Sequence, residues 1–233
     1  MGRATAIELA LRGWDIALGF RSNEEAARSV AASLHPESRS VLVQGDVATD
    51  AADMVARAVE GLGGLDAVIF TAVPIITGRL SELQDADIDS AMGVTVHGFR
   101  GLALAARPFL AESEGSVVAF SSLGSERYAA YYGAIAPAKG ALEAMIRYIA
   151  VEFGRYGVTV NGISPCLIDD VQHFDEAPTV LPHLEQVAKR TPLRRKLVTP
   201  ADVARVACAL VGPDFSTVTG QLVKVDGGYS LLA

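Results

Sequence analysis

Long apolar runs, cysteines and clustered positive charge are what this sequence has least of, and each shortage removes a class of protein. No apolar stretch approaches the ~20 residues of a membrane-spanning helix, so no membrane partner is expected. The opening MGRATAIELALRGWD lacks the order of basic, apolar and small residues that marks a secretory leader. Ala6 stands where a myristoylation motif calls for serine or threonine. The two cysteines, Cys166 and Cys208, form no CxxC pair. That excludes a disulfide scaffold and fits a reducing, cytoplasmic setting. Lys and Arg number 20 against 27 Asp and Glu, a net charge of −7, which argues against the basic face of a nucleic-acid binder. No metal centre is expected.

What remains is a chain of 233 residues, half of them apolar, which suits one domain (1–233) around a single core. Apolar runs bounded by turn residues alternate with amphipathic segments. Strands are expected at Asp15–Phe20, Ser40–Val43, Ala67–Phe70, Ser116–Phe120, Val158–Ile163 and Gln221–Val225. Helices are expected at Ser22–Leu34, Asp50–Gly61, Asp85–Leu110, Ala136–Phe153 and Pro200–Val211, with Ser22 or Asn23, Thr49 or Asp50, and Thr199-Pro200 as their openings. The alternation predicts an α/β fold, a doubly wound parallel sheet with helices on both faces. In such sheets ligands sit beyond the carboxyl ends of the strands, so the residues that follow each strand are the ones to read for chemistry.

The densest signal follows the fourth strand. Ser121–Glu143 reads SSLGSERYAAYYGAIAPAKGALE. Tyr132 stands seven residues before Lys139, and the position four before the lysine is Ile135. At 100° per residue, seven steps leave two side chains ~20° apart and four steps ~40° apart, so either spacing puts a tyrosine and a lysine on one helix face. Pro137 lies between them and removes an amide bond to Gly133. The helix proper is therefore expected near Ala136, with Tyr132 on a bent first turn or loop.

These residues resemble the short-chain dehydrogenase/reductase family, a Rossmann-type fold, and within it the NADPH-dependent enoyl-acyl-carrier-protein reductases, whose tyrosine and lysine are separated by six residues. The ketoreductase spacing of that family, with three residues between, is absent. The resemblance implies reduction of the conjugated double bond of an enoyl thioester, carried on an acyl-carrier protein or CoA, or of a related carbonyl, in fatty acid or polyketide metabolism. It assigns Tyr132 to stabilise the enolate oxygen, Lys139 to hold the nicotinamide ribose, and Ser122 to support the carbonyl. Tyr128 and Phe174 become candidate substrate contacts, with Asp169–Arg194 as a substrate loop.

The same resemblance implies NADPH as cofactor. Gly2 and Arg3 match the end of the glycine-rich segment. Arg21 and Ser22 follow the second strand of the family's order, where a basic residue suits a 2′-phosphate; the alternative is solvated surface residues. Asp46 and Val47 match the adenine-contacting pair, or Asp46 is only a helix cap. Ala72 lies in the segment Phe70-Thr71-Ala72-Val73, which replaces the family's Asn-Asn-Ala-Gly, and Thr95 replaces its asparagine. Pro165 and Ile168 fall at the nicotinamide, with Cys166 in place of a glycine and read as a packed thiol.

In the family a strand and further glycines precede the segment matched by Gly2-Arg3-Ala4-Thr5-Ala6. Three accounts are open: the protein starts upstream of Met1, the flanking strands pair directly, or a partner chain supplies a strand. Two rival functions follow, non-redox acid/base chemistry through Tyr132 or a scaffold role. Surplus apolar positions at Val96, Phe99, Leu102, Leu104, Ala105, Leu142, Ile146 and Ile149 suggest a homodimer or homotetramer.

Overall fold

The computed structural model describes residues 1–169 and 181–232. Six parallel strands are β1 (Ile16–Phe20), β2 (Ser40–Gln44), β3 (Ala67–Phe70), β4 (Ser116–Phe120), β5 (Thr159–Pro165) and β6 (Leu222–Val225). Helices α1 (Gly2–Leu11), α2 (Glu24–Ala32), α3 (Ala51–Leu62), α4 (Asp85–Met92), α5 (Phe99–Ser113), α6 (Ile135–Gly154), α7 (Leu181–Arg190) and α8 (Pro200–Leu210) surround them. Asn23 caps α2 through Ala26 N at 2.9 Å, and Thr199 with Asp202 forms a capping box on α8.

Alternation along β4 shows how the layers are built. Val117 and Ala119 join one core with Phe99 and Leu110 of α5 and Leu142 and Ile146 of α6. Val118 and Phe120 join the other with Leu9 of α1 and Val203 and Ala207 of α8. Successive side chains of a strand point to opposite faces, so a strand covered on both faces is mostly apolar; all five residues of β4 are buried, and its one polar member, Ser116, accepts from the Thr159 hydroxyl at 2.9 Å.

The sheet falls into two pieces, β1-β2 and β3-β4-β5-β6. β1 and β3 do not pair, which rules out direct closure of the gap by these two strands. Between them lies an open cavity of about 1600 Å³, lined by all of β1, all of β3 and the inner face of α1. Gly2 sits at the carboxyl end of β3, where an added Cβ would stand 2.9 Å from Thr71 Oγ1.

Three other expectations change. The segment read as one helix from Asp85 is broken by a π-helical stretch, Gly93–Gly98, between α4 and α5. Asp169–Arg194 is not loop throughout, because Leu184, Val187 and Ala188 carry a helical apolar spacing, and an exposed Glu185–Lys189 pair at 2.6 Å supports that turn. Val96, Phe99, Leu142, Ile146 and Ile149 are buried within this chain's own core, so these residues offer nothing to a partner.

Candidate active site

β4 delivers the chain to Ser121 and Ser122, and a single 3-10 turn, Leu123–Ser125, follows. Ser122 opens that turn, its hydroxyl accepting from Gly124 N at 3.2 Å. The chain then runs exposed through Tyr128, which is 89% accessible, and returns to Tyr131 and Tyr132 just ahead of α6.

Tyr132 is set by backbone rather than by helix. Ala136 N donates to its carbonyl at 2.9 Å, but Pro137 cannot donate to Gly133, and α6 begins only at Ile135. Before that, residues 131–133 pair with the loop after β3: Gly78 N donates to the Tyr131 carbonyl at 2.9 Å and Gly133 N to the Gly78 carbonyl at 3.1 Å. Tyr131 takes a left-handed φ of 60° to make this clasp, a conformation that costs energy for a non-glycine residue. Gly133 is required there because a Cβ would lie 2.5 Å from Leu80 N.

The Tyr132 side chain is half-buried and its hydroxyl lies within the influence of the Ser122 side chain. Burial raises its pKa above the usual tyrosine value, with Ser122 acting against that. The phenol therefore stays protonated at neutral pH and can donate a hydrogen bond.

Lys139 lies seven residues on, 4% exposed, with Nζ donating to the Phe120 carbonyl at 2.6 Å. Burial lowers its pKa from 10.5 to about 8, while the charge of Glu143 acts to raise it. One of the ammonium's three donors is thus committed to the end of β4. One turn further along α6, the carboxyl of Glu143 meets the hydroxyls of Ser121 and Ser125. Glu143 was not foreseen from the sequence. Its only signal is an acidic residue four after Lys139 on an otherwise apolar helix face.

The cofactor-side residues divide. Gly2, Arg3, Arg21, Ser22, Asp46, Val47 and Ala72 all line the cavity between β1 and β3. The Arg21 guanidinium stands 3.8 Å from the Asp46 carboxylate at the exposed mouth, and Asp46 Oδ1 also accepts from Ala48 N at 2.9 Å. The first-turn amides of α1 have no acceptor within their helix and open on the same space. An amide-bearing helix end, an arginine and an aspartate could hold the phosphate and adenosine parts of a nicotinamide dinucleotide.

Lys139, Pro165 and Ile168 lie outside that lining. Ile168 belongs to the core cluster that also holds Ile163, and its backbone bridges Val198. Val47 likewise turns its side chain into the core, against Gly98.

Phe174 and His173 lie outside the described residues. Burial raises the Cys166 thiol above its usual pKa, which fits a packed rather than a reactive group. Two buried hydroxyls, Thr95 Oγ1 on the π-helical stretch and Ser164 Oγ on β5, have no hydrogen-bond partner among the described residues. Among the described residues no cluster of His, Cys, Asp and Glu could hold a metal, and no helix is long and apolar enough to cross a membrane.

A family model described as enoyl-(acyl carrier protein) reductase matches residues 1–230. A 1-cyclohexenylcarbonyl-CoA reductase of Streptomyces collinus is 32% identical, across 100% of this chain and 84% of its own length. The NADH-type enoyl-[acyl-carrier-protein] reductase of Neisseria meningitidis serogroup B is 33% identical, across 90% of this chain and 81% of its own. A solved structure from Brucella melitensis, titled a short-chain dehydrogenase/reductase of the glucose/ribitol dehydrogenase kind, superposes with a TM-score of 0.89 at 29% identity, over 98% of this chain and 91% of that one.

Proposed function

The chain belongs to the short-chain dehydrogenase/reductase family of oxidoreductases, and from that premise we propose that it reduces the conjugated double bond of an enoyl thioester with NADPH. The observation that carries this reading is the Tyr132 hydroxyl beside Ser122, seven residues before a buried Lys139, with Ile135 where a ketoreductase would place its tyrosine. Two relatives whose names specify reduction of an enoyl thioester support it.

When bound, the nicotinamide supplies the hydride that the β-carbon receives. The protein's own part is to stabilise the charge that develops on the thioester oxygen. The Tyr132 hydroxyl donates to that oxygen, as an oxyanion-stabilising group does, and Ser122 orients the phenol. Lys139, mostly protonated at neutral pH, adds positive charge behind Tyr132 and keeps two donors for the nicotinamide ribose. Arg21 favours the 2′-phosphate of NADPH, although the Neisseria relative is named for NADH. Tyr128, exposed beside the site, is a candidate contact for a substrate carried on a protein.

Incubation with crotonyl-CoA and NADPH, followed by loss of nicotinamide absorbance, tests the reading. Tyr132→Phe should lower turnover by ~10²-fold or more, whereas Tyr131→Phe should change it little, since Tyr131 joins the clasp through its backbone carbonyl. Equal effects would remove Tyr132 from the site, and absence of turnover with either nucleotide would end the reductase reading. We further propose a cytoplasmic homodimer or homotetramer. Tyr148 and Val151, 74% and 82% exposed on the outer face of α6, are the apolar residues there that a second copy would cover.

A further inference from the structure

We propose that Glu143 is a positioning residue, holding the Ser121–Ser125 turn, and with it the Ser122 hydroxyl, in place against Tyr132. The residue is buried at 9% exposure and its Oε1 stands 2.5 Å from Ser121 Oγ and 2.5 Å from Ser125 Oγ. These two serines bracket Ser122. Ser125 Oγ also lies 2.7 Å from the Ser122 carbonyl oxygen, so its one proton is shared between two acceptors. One helical turn earlier, Lys139 holds the Phe120 carbonyl. Helix α6 therefore grips the end of β4 and the turn after it at three points, at residues 120, 121 and 125.

The grip adds a side-chain tie between two flanking anchors, Ser121 N to the Ile163 carbonyl at 2.7 Å and Lys224 to Glu126 at 2.5 Å. The turn's internal ties are backbone bonds, Ser125 N to the Ser122 carbonyl at 3.0 Å and Glu126 N and Arg127 N to the Leu123 carbonyl at 3.1 Å each, together with the Ser122 cap on Gly124 N. Such single turns have poor hydrogen-bond geometry. A side-chain tie from a long helix passes the rigidity of the core to the loop that carries Ser122, a supporting contact of the kind a catalytic geometry requires. Lys139 sits in the first turns of the same helix and Tyr132 just ahead of it, so α6 ties the turn that carries Ser122 to the lysine and to the segment that carries the tyrosine. Two hydroxyls on one carboxyl oxygen inside the protein are also costly to leave unpartnered, which explains why the turn carries serines at both 121 and 125.

The kinetic part of the test rests on the reductase reading; the exchange part does not. Glu143→Leu removes the acceptor, and the triple variant Glu143→Leu, Ser121→Ala, Ser125→Ala also removes the donors it would strand. Both should lower kcat by roughly tenfold or more, the scale of small misplacements at an active site, with little change in the KM for nucleotide. The triple variant should be no worse than Glu143→Leu alone, since the three residues act as one unit. Glu143→Gln keeps an acceptor oxygen and should recover most of the loss. A Gln variant as poor as the Leu variant would assign Glu143 to electrostatic support of Lys139 instead and overturn the proposal.

Independently of turnover, the amides of Gly124 and Ser125 should exchange with solvent faster in the triple variant while those of β4 and β5 stay protected. Ser125→Ala gives the same readouts should the triple variant not fold. Unchanged exchange at residues 124 and 125, or a folded triple variant with wild-type kcat, would overturn the proposal. If the wild type reduces no enoyl thioester, the reductase reading fails by itself, and the exchange measurement still decides the role of Glu143.

Discussion

The ring of Tyr132 lies against the backbone of Gly124: a Cβ at residue 124 would stand 2.6 Å from Cδ1 and 2.8 Å from Cε1. Gly124 has no left-handed φ, so alanine is acceptable to its backbone and only the ring objects. Gly124→Ala should therefore displace the phenol from Ser122 and lower turnover by ~10-fold or more, with the melting temperature shifted by only a few degrees. Wild-type turnover in this variant would show that the ring can move without consequence.

Lys139 predicts a dependence on pH in two measurements. Its pKa falls from 10.5 to about 8 because burial disfavours the charged form. Between those values the unfolded chain binds more protons than the native one, so Lys139 makes stability rise with pH across that window. The depression corresponds to roughly 3 kcal/mol, a destabilisation present in full below about pH 8 and relieved toward 10.5. Compared with Lys139→Met, the wild type should gain stability between pH 8 and 10.5 in denaturant titrations. If the ammonium charge serves turnover, kcat/KM should fall as the pH passes about 8 in the free enzyme. A flat difference between the two proteins would show that burial does not depress the lysine and that it keeps its ordinary pKa in the native protein.

Arg21 stands at the mouth of the cavity with Asp46 at 3.8 Å as its ion-pair partner. That contact is exposed and weak, so the guanidinium is available to a phosphate. NADPH should bind more tightly than NADH, and Arg21→Asp should narrow or reverse the preference, measured by calorimetry with both nucleotides. A wild-type preference for NADH would assign the arginine to the surface.

The cavity between β1 and β3 is bounded by two strands that each pair on one edge only. Fusing to Met1 a short apolar strand matched to the five residues of β1, followed by a glycine-bearing turn, should satisfy both edges. The melting temperature should rise. NADPH should bind ~10-fold or more tightly, because the turn adds amides beside the first turn of α1. No gain in either measurement would mean that the two edges do not accept a strand.

Much of this protein can be read locally. Ala67–Phe70 and Ser116–Phe120 are strands with the bounds their composition implies, since a short β-branched and apolar run between turn residues has few other outcomes. Thr199-Pro200 with Asp202 carries its own start signal, and Pro137 by itself places Tyr132 ahead of α6. Serine, tyrosine and lysine were legible as a group only through the family resemblance, since spacing alone says no more than that a tyrosine and a lysine can share a helix face. Tertiary structure decided what covers each apolar face. Periodicity shows that Phe99, Leu142 and Ile146 face something apolar but not whether that is their own sheet or a second copy; they face their own sheet. It also decided the partners of Glu143, since a carboxylate on an apolar helix face gives no indication of which hydroxyls, 22 and 18 residues away, will meet it. The division of the sheet between β1 and β3 is of the same kind. Each strand's sequence specifies that it will be extended, but hydrogen bonds between strands are made across space, and only the assembled fold shows which edge is left open.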